Sequence, residues 1–309
     1  MEEKRNLRPT AVLLLAFGGP RTIDEVDWFL KQLLGVKSLG LQSERFKMRY
    51  RSIGGSSPLP EITLRQARAL QERLKEKNLH LNVYVGMRYG HPLISEALEE
   101  IKKQKVSRII LVSLSPYHSP FTSEGYYREA KRIIVSWEEE IDSIQVNDWY
   151  KHPFLIKAWA NNINKILKEI SEGKEELPVL FTAHSLPQEM ASSAPYVGQL
   201  RETIQGIISL TGPLEWQLVF QSRGRGGTWL GPDPETILKK LYKNGYHKVL
   251  IVPVGFISDH LETLYDLDIS LKDWASSRNM NIIRVACLND SPELIETLAQ
   301  LVKGALKKK

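Results

Sequence analysis

Eight short runs rich in Val, Ile and Leu punctuate the chain: "AVLLLAF" (11–17), "LNVYVGM" (81–87), "RIILVSL" (108–114), "IQVND" (144–148), "PVLFTA" (178–183), "WQLVFQ" (216–221), "KVLIVPV" (248–254) and "NIIRVAC" (281–287). They are apolar continuously rather than at alternate positions, the pattern of strands buried on both faces of a parallel sheet. Between them lie amphipathic segments such as "LRQARALQERLKEK", "ISEALEEIKKQ", "EGYYREAKRIIVSWEEE" and "VGQLRETIQGIISL". Such alternation predicts an α/β protein of doubly wound, Rossmann-like sheets. The runs divide four and four about residues 150–176, which read as a helix followed by a polar linker. The expectation is two domains, 9–150 and 151–309, each a four-stranded, mainly parallel sheet, facing one another across a cleft. "VSRIILVSLSPYHSPFT" echoes "YHKVLIVPVGFISDHLET" in pattern and in position within its half, as two similar domains would. The last segment, 291–309, opens with a Ser-Pro helix signal and is free to pack back on the first domain.

Composition removes several classes. Hydrophobic residues make up 42% and charged residues 25% of the 309, a soluble globular balance. The net charge of +6 is diffuse, with no basic stripe interleaved with aromatics, so nucleic acid is not expected as a partner. The tail "KGALKKK" is able to touch an anionic membrane surface transiently, or is a solvated end. A single cysteine, Cys287, in an apolar run, excludes a disulfide or a cysteine-held metal cluster within the chain and suits a buried packing role. No run approaches the ~20 apolar residues that span a bilayer, and "MEEKRNLRPTAVLLLAFGGP" lacks a cleavage site, so a cytoplasmic location is expected.

In open α/β sheets ligands bind beyond the carboxyl ends of the strands. The residues there include "FTAHSLP" and "GFISDHLETLYDLD". In the second, Asp259 and Glu262 have the spacing of a helix capping box. Glu262 and Asp266, four apart, also share a helix face, where like charges cost about a few tenths of a kcal/mol and a cation or moving protons would give them a purpose. His184 is either a hydrogen-bonded turn residue or a ligand and proton acceptor near neutral pH. An imidazole with a carboxylate makes an open, weak site for a divalent first-row metal such as iron, fit to pass it on. "AFGGPRT" lacks dinucleotide spacing, "IGGSSP" and "RGRGGTW" lack a P-loop ending, "AHSLP" is no nucleophile elbow, and nothing has a structural zinc pattern.

"FTAHSLP", "FQSRGRGGTWLGP", "GFISDHLETLYDLD", "YVGMRYGHPL" and "YRSIGGSSPL", in this order-independent sum and in their order along the chain, resemble the ferrochelatases, over residues from about 10 to 300. The resemblance implies a chelatase-like pair of domains and an enzyme, a lyase of haem and porphyrin biosynthesis, that inserts Fe2+ into a porphyrin with release of two protons. It implies His184 and Glu262 as catalytic iron ligands across the porphyrin cleft and Asp266 as the next acid of a proton or metal path. Porphyrin contacts transfer to Phe17, Arg49, Tyr50, Ser57, Arg88, Tyr89 and Tyr126; arginines suit propionates and aromatic faces suit the ring. Iron is then a substrate, no cofactor is permanently bound, and one cysteine excludes the iron–sulfur cluster of some members.

Ser270 stands where members often continue the acidic line with a glutamate. Phe17 stands where the coproporphyrin-using branch often has an iron-ligating tyrosine, which leans toward protoporphyrin IX, whereas "SPFTSEGYYREAKR" looks more like the coproporphyrin III branch. A cobalt chelatase or a haem-binding protein on the same fold are the rivals.

Overall fold

The computed structural model describes residues 9–170, 177–193, 195–224 and 226–308. The polar linker expected at 171–176 lies outside the described residues.

The apolar runs become two four-stranded sheets of the same order. In the first, β1 (Thr10–Ala16), β2 (Asn82–Met87), β3 (Arg108–Ser113) and β4 (Asp142–Val146) lie in the order β2-β1-β3-β4. In the second, β5 (Val179–His184), β6 (Trp216–Gln221), β7 (Lys248–Val252) and β8 (Asn281–Arg284) lie in the order β6-β5-β7-β8. Every neighbouring pair is parallel. The fourth strand sits two residues earlier than its apolar run suggests. The eighth stops at Arg284, whose charge turns into a network described below.

The connecting helices are α1 (Val26–Leu34), α2 (Gln42–Ser52), α3 (Leu59–Glu76), α4 (Ile94–Lys103), α5 (Ser123–Val135), α6 (Pro153–Ile170), α7 (Gln188–Ser193), α8 (Tyr196–Thr211), α9 (Pro234–Lys243), a π-helix (Glu262–Leu271), α10 (Lys272–Ser276) and α11 (Pro292–Ala305). Proline opens α6, α9 and α11, and the last two also carry a side-chain cap. Asp233 accepts from the Thr236 amide (3.0 Å) ahead of α9, and Ser291 from the Leu294 amide (3.4 Å) ahead of α11. The amphipathic pattern does not announce α2, "QSERFKMRYRS", because Tyr50 is its one fully buried side chain.

Alternation along each strand sorts side chains to two faces. Ala11, Leu13 and Leu15 point outward to α4 and α5, while Val12, Leu14 and Ala16 point to a core that also takes in Phe181 and Ala183 of β5. That core runs unbroken through α3, α6, α8 and α11, so the two sheets share it. Polar links cross behind it. Tyr117 Oη donates to the Val254 carbonyl (3.0 Å), Gln66 Nε2 to Ser258 Oγ (2.9 Å) and the Asn289 carbonyl (2.6 Å), and Arg65 pairs with Asp290 (2.8 Å). From α11, Glu296 takes Arg73 (2.6 Å) and Lys77 (3.0 Å) of α3.

Candidate active site

In the second sheet the strand order reverses between β5 and β7, and a crevice at the carboxyl end of such a reversal is where doubly wound sheets bind ligands. His184 is the last residue of β5, and the chain leaving β7 passes Gly255 and enters the π-helix at Glu262. Gly255 is needed for that approach: a Cβ there would lie 2.6 Å from Ala183 Cβ, and the Gly255 amide donates to the Thr182 carbonyl (3.0 Å). The result is His184 Nδ1 at 2.9 Å from Glu262 Oε2, the two side chains 35% and 28% exposed. A second histidine, His260, brings Nε2 to 3.7 Å from the same oxygen, and its Nδ1 meets the Ser258 carbonyl at 3.1 Å.

The electrostatics follow from that packing. Burial disfavours a charged imidazole at His184, yet the hydrogen-bonded Glu262 carboxylate, with Asp266 beyond it, outweighs burial and raises the pKa above its ordinary value. Burial would raise Glu262, but His184 and then His260 overcome it and hold the carboxyl well below the usual carboxylate range. With Nδ1–H donating to the Glu262 carboxylate, neutral His184 keeps a lone pair on Nε2 for a proton or a metal.

Asp259 and Glu262 do not form the capping box that their spacing allows. Asp259 instead accepts from Arg284 Nη1 (3.0 Å), Thr263 Oγ1 (3.1 Å) and Asn289 Nδ2 (2.8 Å), and its own amide donates to Asn289 Oδ1 (2.8 Å). Arg284 also grips Asp268 with two 2.7 Å bonds, so one guanidinium pins the chain before and after Glu262. The helix itself is π rather than α, a geometry that concentrates at functional sites. Asp266 remains within electrostatic reach of Glu262. Burial raises its pKa, Glu262 adds to the rise, and Arg49 and Ser222 oppose it. Asp266 is bonded to Arg49 Nη2 on one oxygen and to Ser222 Oγ (2.6 Å) on the other.

The residues marked for porphyrin contact lie mostly at the carboxyl end of the first sheet. Phe17 follows β1 and packs on Tyr89 (4.9 Å between ring centres) and Phe29 (6.4 Å). Gly18 takes φ +91°, and a Cβ there would lie 2.8 Å from the Tyr89 carbonyl carbon, which seats the Phe17 turn against the end of β2. Arg88 lies over the Tyr89 ring at 5.0 Å, donates to the Phe121 carbonyl (3.2 Å) and faces Glu129 at 3.8 Å. Ser57 is buried, and its amide donates to the Pro20 carbonyl (2.8 Å). Tyr50 and Tyr126 are 3% and 2% exposed, with their rings in the core rather than bare to the cleft. Burial holds both hydroxyls protonated, Glu262 adding to the effect at Tyr50. Arg49 is not grouped with the Arg88 rim but pairs across to Asp266.

Three residues that the sequence reading did not select join the arrangement. His260 has its signal in "DHLE", two positions from the glutamate. Gln221 donates to the Glu262 carbonyl (2.8 Å), and Ser222 holds Asp266. Their signal is "FQSR", a polar pair ending an apolar strand as "AHS" does. Among the described residues no group of three or more His, Cys, Asp or Glu is arranged to hold a metal ion.

Two four-stranded doubly wound sheets with the His184–Glu262 pair at the second reversal define a chelatase fold. The SirB structure from Bacillus subtilis with Fe3+ superposes with a TM-score of 0.61 at 14% identity, over 96% of both chains. The SirB sirohydrochlorin chelatase of Bacillus subtilis subspecies spizizenii in complex with cobalt gives 0.54 at 13%, over 96% of this chain and 95% of that one. The family follows from sequence. The ferrochelatase profile matches residues 9–306. A ferrochelatase of Herpetosiphon aurantiacus is 35% identical over 300 residues, 96% of this chain and 98% of that one. One of Aquifex aeolicus is 34% identical over 310 residues, 95% and 98%. The chain belongs to the ferrochelatase family, lyases that insert iron in haem biosynthesis.

Proposed function

We propose that the protein inserts Fe2+ into protoporphyrin IX, with His184 and Glu262 as the working pair. The observation that carries this reading is their 2.9 Å contact at the carboxyl ends of the strands flanking the reversal of the second sheet. Insertion removes two pyrrole protons and needs the flat macrocycle bent so that nitrogen lone pairs face the metal. Contacts remote from the nitrogens offset the bending. The Phe17–Tyr89–Phe29 wall supplies apolar contact, and Arg88 supplies a cation at its edge. His184 Nε2 accepts one pyrrole proton, with Glu262 stabilising the imidazolium that results, and the second leaves to solvent along the Glu262–Asp266 line. Before that transfer the same two groups hold Fe2+ loosely. Asp266 continues the acidic line along the π-helix as the next station for metal or protons.

The choice of protoporphyrin rests on Phe17, which stacks but has no hydroxyl to bind iron, and on the rim cations. Arg88 is already engaged with Phe121 and Glu129, which leaves few rim cations for four propionates. Comparing kcat/KM for protoporphyrin IX and coproporphyrin III tests the choice, and a clear preference for coproporphyrin III reverses it. An anaerobic assay with free porphyrin and Fe2+ tests the reaction. A protein that only carries haem gives no turnover, and a cobalt chelatase turns over Co2+ far faster than Fe2+. No described helix is long and apolar enough to cross a membrane. We place the protein in the cytoplasm, built of domains 9–150 and 151–309, with no permanently bound cofactor.

A further inference from the structure

Arg49 belongs to α2 in the first half and Asp266 to the π-helix in the second, so their ion pair bridges the halves beside Glu262. The pair is poorly matched on the arginine side. A guanidinium prefers to grip a carboxylate with two parallel bonds. Asp266 cannot offer both oxygens, because Ser222 Oγ holds the second at 2.6 Å. Arg49 therefore bonds through Nη2, while its Nε is buried with no hydrogen-bond partner. The guanidinium is held in place by the rings of Tyr265 (4.7 Å) and Phe46 (5.4 Å), contacts that leave its edge donors unmet. Ser222 carries its own sign of purpose. It sits directly after β6 at φ +59°, a conformation unfavourable for a side-chain-bearing residue, and that turn delivers its hydroxyl to Asp266.

We propose that Arg49 is an exchangeable counter-ion: it masks Asp266 while the cleft holds no porphyrin, and a porphyrin carboxylate draws it away, leaving Asp266 an open acid next along the π-helix from Glu262. The incoming carboxylate has two free oxygens, so it satisfies the Nε that Asp266 leaves unmet. Ser222 keeps Asp266 in position after the exchange. Arg49 is thus a positioning residue that ties the readiness of the acidic line to the presence of the porphyrin. The inference deepens the iron-insertion reading and rests on Glu262 and His184 as iron ligands.

The test uses Fe2+ alone, titrated anaerobically into the porphyrin-free protein by calorimetry. In Arg49→Met, iron affinity rises about tenfold, the scale of one neighbouring charge removed from a partly buried site. Adding Asp266→Asn to that variant cancels the gain. Asp266→Asn alone leaves the Arg49 charge uncompensated beside the site and lowers the affinity about tenfold; this arm stands even if Arg49→Met does not fold. An unchanged affinity in Arg49→Met, a gain that survives Asp266→Asn, or an unchanged affinity in Asp266→Asn alone each overturns the proposal. The exchange is read by fluorescence titration of protoporphyrin IX against its dimethyl ester. Wild type prefers the free acid and Arg49→Met loses that preference, whereas a preference kept in Arg49→Met overturns the exchange. Glu262→Gln runs alongside. Lost iron binding there with no effect of Arg49→Met fails the counter-ion alone, and retained binding fails the site reading and the counter-ion together.

Discussion

The two halves have one topology and different chemistry at their tips. Beside each reversal an alanine precedes the residue at the tip, Ala16 at the end of β1 before Phe17 in the first half and Ala183 before His184 at the end of β5 in the second. The neighbouring strand is followed by Arg88 and Tyr89 in the first half, and in the second it ends in Gln221 with Ser222 next. One half thus offers rings and a cation, and the other offers titratable and hydrogen-bonding groups aimed at a helix that begins with Glu262. On the proposed function, a scaffold used twice supplies a wall in one copy and a reacting face in the other. The fold dictates where a side chain stands, and the residue placed there dictates what it does.

The sharpest way to break the comparison is to remove each tip in turn. His184→Ala should lower the insertion rate by about 10²–10⁴, the span of a lost acid–base group, with circular dichroism and thermal midpoint close to wild type. Phe17→Ala should instead raise KM for the porphyrin and leave kcat within about tenfold. Equal losses of kcat would erase the distinction between wall and reacting face.

Next in size is the charge bracing that the second half alone uses around its site. Arg284→Met strands Asp259 and Asp268 and should cost about 3 kcal/mol in denaturant unfolding. Arg88→Met, at the exposed rim, should cost no more than about 1 kcal/mol. Equal costs would show that the bracing adds nothing.

Smaller still is a titration. The His184 pKa is raised, so its pairing stabilises the fold fully below the unfolded value of about 6.5 and loses that contribution as pH rises through the folded value. Glu262 is depressed, so its contribution is present above about 4.3 and fades as pH falls through its folded value. In Glu262→Gln the imidazole keeps its burial and loses its counter-charge, and NMR should place its pKa below that of wild type. An unmoved His184 would mean that the 2.9 Å contact has no electrostatic weight. The smallest expected effect is Phe17→Tyr, which adds a hydroxyl to the wall and should shift the protoporphyrin-to-coproporphyrin ratio of kcat/KM by less than about tenfold. A wild-type enzyme that already favours coproporphyrin III would remove the reason for that shift.

Much of this layout is legible in the residues because buried parallel strands announce themselves by continuous apolarity, and all eight runs are strands. His184 stands out as a polar group ending such a run, and Glu262 as the first of two acids four apart in the segment after another. The π-helix does not, since its widened turn depends on tertiary bonds such as Gln221 to the Glu262 carbonyl rather than on a pattern in "ETLYDLDISL". The same holds for Asp259, whose capping spacing is overridden by Arg284 and Asn289, residues well downstream. Tyr50 and Tyr126 look like ring-facing aromatics in sequence, yet packing draws them inward. The link from Arg49 to Asp266 joins positions 217 residues apart and leaves no local trace.

The unbroken core behind the two sheets makes the molecule a vice with fixed jaws rather than a hinged clamp. Swinging the halves apart would tear α11 from α3, break Glu296 from Arg73 and Lys77, and expose Gln66 with its two partners. A porphyrin pressed into such a gap meets walls that do not yield. The compliance must come from the macrocycle and from the loops at the lips, so the strain of binding is stored in the substrate, where it opens the nitrogens to the metal.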